Sequence, residues 1–193
     1  MLAAMTWLPW VIGIGAIVLV VLYVISIYNG LVHRQTEAEN AWSQIDVQLK
    51  RRHDLIPNLV ETVKGYAAHE KETLERVIQA RNAAVNARGV AQLAEAENAL
   101  TAALRQLMVV VEAYPDLKAN ENFRALQEEL TSTENRISFA RQHYNDVVAQ
   151  YNIALRRFPS NIIASMFRFP AYDFFQLDAQ ELAQVRQAPK VQF

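Results

Sequence analysis

Hydrophobic positions along the chain begin as one unbroken run and then recur at helical spacing. Residues 8–27 contain no charged side chain, and at 1.5 Å per residue they make about 30 Å of helix, enough to cross a bilayer core. Aromatic residues lie toward both ends of the run, where rings prefer the headgroup level: Trp7, Trp10, Tyr23 and Tyr28. The pattern predicts that residues 1–29 form a short external N-terminus and a transmembrane helix.

A cleaved signal peptide is the competing interpretation of this run. It is disfavoured because no Lys or Arg precedes the run and no small-x-small cleavage site follows it. The first positive charges all lie after the span: Arg34, Lys50, Arg51 and Arg52. The positive-inside rule therefore predicts a single-pass protein with its N-terminus outside and its C-terminal domain in the cytoplasm.

Four amphipathic segments follow the anchor. The first carries apolar residues on one helical face, namely Leu31, Ala38, Trp42, Ile45 and Leu49. Pro57 predicts a break near Asp54, because proline removes the helical hydrogen bond to residue 53, and a kinked continuous helix is the alternative. The second segment continues to Gly89, and Gly65 weakens this helix but need not end it.

The third segment covers residues 90–114 and stops before Pro115, and the fourth covers residues 116–158. Good helix formers dominate these stretches, so the fold class is all-α. Short connections favour antiparallel neighbours, and we expect residues 30–158 to form an up-down four-helix bundle with long helices. The fourth helix then returns toward the membrane and delivers residues 159–193 near its surface.

The C-terminal tail, residues 159–193, begins with an apolar, aromatic-rich stretch. It could cover the end of the bundle, contact another subunit, or lie in the interfacial plane with Arg156, Arg157 and Arg168 near lipid headgroups. The sequence of residues 178–193 predicts a short helix and a frayed end. The membrane-interface candidates are Trp7, Trp10, Tyr28, Phe158, Ile162, Ile163, Met166, Phe167, Arg168, Phe169, Phe174 and Phe175.

Composition narrows the possible chemistry. A net charge of −1 gives no basic field for nucleic acid, and the lack of cysteine excludes disulfides, iron–sulfur clusters and thiolate zinc sites. No Glu-x-x-His pair, phosphate-binding glycine loop or G-x-S-x-G motif occurs. The four histidines, His33, His53, His69 and His143, are interpreted as solvated surface residues. We therefore predict no catalytic residue, no metal, no cofactor and no enzymatic activity.

Two further patterns have a structural and a functional interpretation. Arg51, Arg52 and His53 form a basic cluster that suits a helix C-terminus better than a ligand site. The pair Tyr-Asn occurs at residues 144–145 and again at 151–152, which places both tyrosines on one helix face. We expect buried rings with bonded hydroxyls that fix helix register, and a ligand site is the alternative.

Several long motifs resemble the LemA family over nearly the whole chain. They include YNGLV after the anchor, ENAWSQIDVQLKRRHDLIPNLVETVKGYAAHEKETLERV, YPDLKANENFRALQEELTSTENRI, FARQHYNDVVAQYN and RFPSNIIASMF. The resemblance implies a bacterial inner-membrane protein with an external N-terminus and a cytoplasmic four-helix bundle. It also implies no catalytic residues and relatives that include a magnetosome-membrane protein tied to vesicle formation.

The expected function is a membrane-anchored scaffold. Its expected partners are membrane lipid, further copies of itself as a homo-oligomer, and an unidentified membrane or cytoplasmic protein. Membrane shaping or lipid sensing by the apolar tail is the alternative, and a metal-binding or enzymatic bundle is the third hypothesis. No nucleic-acid partner is expected.

Overall fold

The computed structural model describes residues 8–67 and 69–175. The described residues form helices and contain no strand, so the all-α class is confirmed. The helices are α1 (Leu8–Lys64), α2 (Lys71–Asn86), α3 (Val90–Val111), α4 (Pro115–Ala119), α5 (Glu121–Arg156) and α6 (Ser160–Met166). The up-down bundle and the domain boundaries after residues 29 and 158 stay predictions.

The chain divides into two compact units, and α1 and α5 each contribute to both. Unit 1 contains the described residues of Met1–Asn40 and Asp146–Tyr172, and unit 2 contains those of Ala41–Asn145 and Asp173–Phe193.

Helix α1 continues through Pro57, so the predicted break near Asp54 is wrong and the continuous alternative is correct. Proline has no N–H to offer the carbonyl of His53, one turn earlier. That carbonyl instead accepts a hydrogen bond of 3.2 Å from Nε of Arg81, on α2. A side chain remote in sequence thus satisfies the group that the proline leaves unbonded.

Two boundaries differ from the predicted segments. Helix α1 ends at Lys64 and a turn at Gly65 separates it from α2, so the predicted second segment is divided at this glycine. The predicted fourth helix is divided at Asn120 into α4 and α5. Oδ1 of Asn120 accepts a hydrogen bond of 2.9 Å from the Phe123 N–H. This side-chain cap replaces a helical bond and starts α5 afresh.

The apolar stripes are buried as predicted. In unit 2, residues from five helices build one core: Ile56, Leu59 and Val63 from α1, Leu74 and Val77 from α2, Leu100 and Leu107 from α3, Leu117 from α4 and Phe123 from α5. In unit 1, Leu31 of α1 packs with Ile163 and Ala164 of α6. Burial of these faces, rather than helix propensity, supplies most of the stability of such helices.

Candidate functional site

The N-terminal part of α1 exposes apolar side chains on every face. Among the described residues it is the one helix long and apolar enough to cross a membrane, with a mean hydropathy of 2.7 over its most apolar window, none of which is buried. Trp10 stands exposed near its start, and Trp7 lies outside the described residues. Apolar surface on all sides of a helix fits a lipid environment rather than water.

Helix α6 packs one face against the end of this apolar span. Ile163 and Ala164 are buried against Leu31, with Ile27 and Tyr28 partly buried around them. The Tyr28 ring meets the rings of Phe167 and Phe169 edge-on, with centroid distances of 4.8 Å and 5.6 Å. These edge-to-face contacts add to the burial and fix the C-terminal segment on α1.

The same segment also exposes apolar side chains. Phe158 is 75% exposed, Ile162 50%, Met166 66% and Phe167, whose ring also contacts Tyr28, 52%. Ile162 and Met166 are four residues apart on α6, a spacing that aligns side chains along one side of a helix, and Phe158 lies in the turn before α6. One short segment of unit 1 therefore packs on α1 and still exposes four apolar side chains. We call these four residues the apolar ridge.

Helix α6 ends in a Schellman motif. Arg168 adopts a positive φ of 57°, the Phe169 N–H donates to the Ala164 carbonyl at 3.0 Å and the Arg168 N–H donates to the Ser165 carbonyl at 3.3 Å. A left-handed residue at this position reverses the chain and satisfies the last helical carbonyls. The reversal brings Phe169 back onto the Tyr28 ring.

Four arginines of unit 1 have no acidic ion-pair partner in the part of the chain that the structure describes. Within residues 8–67 and 69–175, no ion pair joins Arg34, Arg156, Arg157 or Arg168 to an acidic side chain, and all four are exposed. The nearby acids have other partners: Glu37 lies 3.4 Å from His33, and Glu39 accepts a hydrogen bond from Tyr172. An apolar ridge flanked by unpaired cations is typical of a segment that meets a bilayer surface.

In unit 1, the second Tyr-Asn pair holds the chain that follows α6. The Tyr151 hydroxyl donates to the Pro170 carbonyl at 2.9 Å. Nδ2 of Asn152 donates to the Tyr172 carbonyl at 2.8 Å, while its Oδ1 accepts from the Tyr172 N–H at 3.2 Å. Burial, followed by the nearby Tyr172 and Glu39, raises the pKa of Tyr151 to about 12, so its hydroxyl keeps the proton that it donates.

In unit 2, the first Tyr-Asn pair makes the same kinds of hydrogen bond as the second pair. Its backbone partners lie three residues further along the chain than those of the second pair. The Tyr144 hydroxyl donates to the Asp173 carbonyl at 2.9 Å, and the Asn145 amide exchanges two hydrogen bonds with the backbone of Phe175, at 3.0 Å and 2.9 Å.

The expected buried rings with bonded hydroxyls are therefore confirmed. The hydroxyl and amide groups of the Tyr-Asn pairs bind the backbone of residues 170–175, while the Tyr144 ring also contacts the Trp42 ring of α1 at a centroid distance of 5.3 Å. The Tyr-Asn repeat in α5 is visible in the sequence, but its partner is not. Residues 170–175, to which the pairs bind, have no periodic sequence pattern.

A buried charged cluster lies in unit 2. Arg52 is 3% exposed and Glu97 4%. Arg52 donates to Glu97 at 3.1 Å and to Oγ1 of Thr101 at 2.7 Å, and His53 Nε2 lies 2.6 Å from the second Glu97 oxygen. The interpretation of Arg51, Arg52 and His53 as charges at a helix C-terminus is wrong, since they lie inside α1. His53 is also not a solvated residue, whereas the other three histidines are exposed.

The remaining interface candidates have different environments. Phe169 is partly buried, Phe174 is exposed, and Phe175 is fully buried beside the Trp42 ring and the Arg141 guanidinium in unit 2. Among the described residues, no group of three or more His, Asp or Glu side chains is placed to hold a metal ion.

Comparison with known proteins identifies similar chains. The sequence model of the LemA family matches residues 41–193. Magnetosome protein MamQ 2 of Paramagnetospirillum magneticum is 25% identical over 192 residues, which cover 86% of this chain and 71% of the relative. Protein LemA of Metamycoplasma hominis is 27% identical over 161 residues, which cover 81% of this chain and 71% of the relative.

Proposed function

This chain belongs to the LemA family, and we propose that it is a single-pass membrane scaffold whose unit 1 meets the bilayer surface twice. The first contact is the apolar span of α1, and the second is the apolar ridge of residues 158–167. The observation that carries the proposal is the packing of Ile163 and Ala164 on the end of that span while Phe158, Ile162 and Met166 stay exposed.

Exposure of the apolar ridge to water is unfavourable. Burying a large apolar side chain contributes about 1.5–3 kcal/mol, so four half-exposed or more exposed residues together contribute several kcal/mol when they enter the interface. Arg156, Arg157 and Arg168 can reach headgroups while their aliphatic stems cover apolar surface. The segment thus favours lipid contact on both physical grounds, burial and charge.

The orientation follows from charge and completes the proposal. The first positive side chains lie C-terminal to the span, which favours an external N-terminus and a cytoplasmic helical domain at the bacterial inner membrane. A scaffold in this orientation holds unit 2 in the cytoplasm for protein partners. Membrane shaping by the ridge is the closest alternative use of the same surface.

Thiol labelling tests both the orientation and the ridge, and the absence of native cysteine makes single-site labelling possible. We expect Val109→Cys to react with a charged maleimide in inverted membrane vesicles but not in intact cells. We expect Phe158→Cys to react at least tenfold more slowly in those vesicles, because lipid covers it. The two apolar residues are similarly exposed in the structure, 70% and 75%. Equal rates in vesicles would refute the ridge, and labelling of Val109→Cys in intact cells would refute the orientation.

A groove in unit 2 supports self-association as the scaffold activity. The groove has a volume of about 570 Å³ and is bordered by Val47, Phe139 and the polar Gln44, Arg136 and His143. Exposed apolar patches with polar rims mark protein interfaces. We propose that a second copy occupies it, since copies anchored in one bilayer meet in the same orientation and at high effective concentration.

Cross-linking in native membranes tests this interface. We expect Phe139→Ser to lower the yield of the cross-linked dimer about tenfold, because a central aromatic anchor of an interface contributes about 1–2 kcal/mol or more. Val109→Ser is the matched control, since Val109 is an equally exposed apolar residue of unit 2 outside the groove. An unchanged dimer yield in Phe139→Ser, or a strictly monomeric wild type, would contradict the proposal.

A further inference from the structure

A second groove lies entirely within unit 1, between the membrane-proximal part of α1 and the end of α5. Its volume is about 470 Å³. Apolar side chains form its walls, among them Ile27, Leu31, Ile153 and Phe158, and two arginines, Arg34 and Arg157, line it as well. The groove thus combines apolar walls with two cations beside a helix that carries the chain's apolar span.

Gly30 keeps this groove open on the α1 side. It lines the groove, and a β-carbon built on it would meet no atom within 4 Å. Glycine in the interior of a helix is less favourable than alanine. Its position here leaves space where any other residue would fill part of the groove.

The two arginines have no acidic ion-pair partner among the described residues. Neither Arg34 nor Arg157 forms an ion pair with a carboxylate among the residues that the structure describes, and both are exposed. An arginine guanidinium is shaped to bind phosphate through two parallel hydrogen bonds. Two unpaired guanidinium groups beside apolar walls therefore fit an acidic headgroup attached to a hydrocarbon chain.

We propose that this groove binds one anionic glycerophospholipid. An acyl chain packs on Ile27, Ile153 and Phe158, and the acidic headgroup pairs with Arg34 and Arg157. Basic pockets beside transmembrane helices are suited to anionic headgroups. A zwitterionic lipid is disfavoured because its ammonium group adds a positive charge next to the two arginines. The inference rests on the proposed function, since a bilayer lipid reaches the groove only if unit 1 lies at the membrane.

Lipid titration of the purified full-length chain in mild detergent, read by native mass spectrometry, tests the site. The probes are dioleoyl phosphatidylglycerol and dioleoyl phosphatidylcholine. We expect the wild type to retain one phosphatidylglycerol in preference to phosphatidylcholine. The Arg34→Gln/Arg157→Gln variant should weaken that retention on the order of 30-fold, because each arginine near an anionic headgroup contributes about 1 kcal/mol.

Two further variants separate the groove from surface charge in general. Gly30→Leu should weaken phosphatidylglycerol retention with both arginines present, because it fills the groove, and leucine is a better helix former than glycine. Arg105→Gln/Arg124→Gln removes two exposed arginines of unit 2 that also lack a described carboxylate partner and should bind like the wild type. Inorganic phosphate in excess should not displace the lipid.

Several outcomes overturn the proposal. They are equal retention of the two lipids by the wild type, unchanged retention in Arg34→Gln/Arg157→Gln, an equal loss in the unit 2 control, and release of the lipid by inorganic phosphate. Labelling of Phe158→Cys in nanodiscs of the same lipids separates the two hypotheses. Slow labelling without phosphatidylglycerol selectivity rejects the lipid site alone, whereas fast labelling rejects the membrane contact of unit 1 as well.

Discussion

Replacing Glu97 with alanine is expected to lower the free energy of unfolding by about 3 kcal/mol, the lower end of the range for breaking a buried ion pair. The substitution leaves the Arg52 guanidinium buried without its main counter-ion and removes the oxygen that lies 2.6 Å from His53. Glu134, half exposed and 3.3 Å from Arg52, still offers a second carboxylate. Because Glu134 remains as a partner, we expect the loss of stability to lie at the lower end of that range.

Thermal and denaturant unfolding of the full chain in detergent, followed by circular dichroism, measures the effect. Glu95→Ala is the matched control, because it removes the same atoms from an exposed position on α3, and its unfolding free energy should stay within about 0.5 kcal/mol of the wild type. Glu97→Gln should fall between the two, since it keeps hydrogen-bonding atoms without the charge. Equal stability of Glu97→Ala and Glu95→Ala would show that the cluster contributes nothing.

Replacing Asn152 with leucine is expected to cost about 2 kcal/mol and to release residues 170–172 from α5. The leucine side chain is similar in size but leaves the N–H and the carbonyl of Tyr172 without their partner. An unsatisfied buried polar group costs about 1–3 kcal/mol of stability. Two such groups would cost more than about 2 kcal/mol together, but water partly reaches this position and lowers the total.

Hydrogen exchange followed by mass spectrometry checks this release. The peptide containing residues 170–172 should exchange at least tenfold faster in Asn152→Leu, while peptides of α2 and α3 keep the wild-type rate. Asn135→Leu, at an exposed position of the same helix, provides the control. Unchanged exchange of residues 170–172 would mean that the Tyr-Asn pair does not hold the segment.

Local periodicity was sufficient to predict the helical class and most buried positions. The stripe of Leu31, Ala38, Ile45 and Leu49 is buried as expected, because a 3.6-residue period states directly which side chains share a face. The apolar span also needs no tertiary information, since its length and lack of charge are visible in the sequence.

Features that depend on remote partners could not be predicted. Pro57 is accommodated by Arg81, and Glu97 is buried because Arg52 and His53 reach it from α1. In a single sequence, Glu97 resembles the exposed Glu95 two residues earlier. Buried charges follow from tertiary pairing, which no local pattern records.

The partners of the C-terminal tail were also not predictable from the sequence. Its composition predicted either packing on protein or contact with lipid, and the structure divides the residues between a buried side, with Ile163, and an exposed side, with Phe158 and Met166. The positions were recognisable as apolar, but the partner of each side was not. Placement of α6 on α1 supplies that information.

The membrane depth of position 158 shows whether unit 1 contacts the bilayer. A nitroxide on Phe158→Cys, in the full chain reconstituted into phosphatidylglycerol and phosphatidylcholine vesicles, reports its collision rates with oxygen and with a water-soluble nickel chelate. We expect oxygen collisions to dominate at position 158 and nickel collisions to dominate at position 109 of the Val109→Cys control, an exposed residue of unit 2. Dominant nickel collisions at both positions would contradict the claim that unit 1 contacts the bilayer through its apolar ridge.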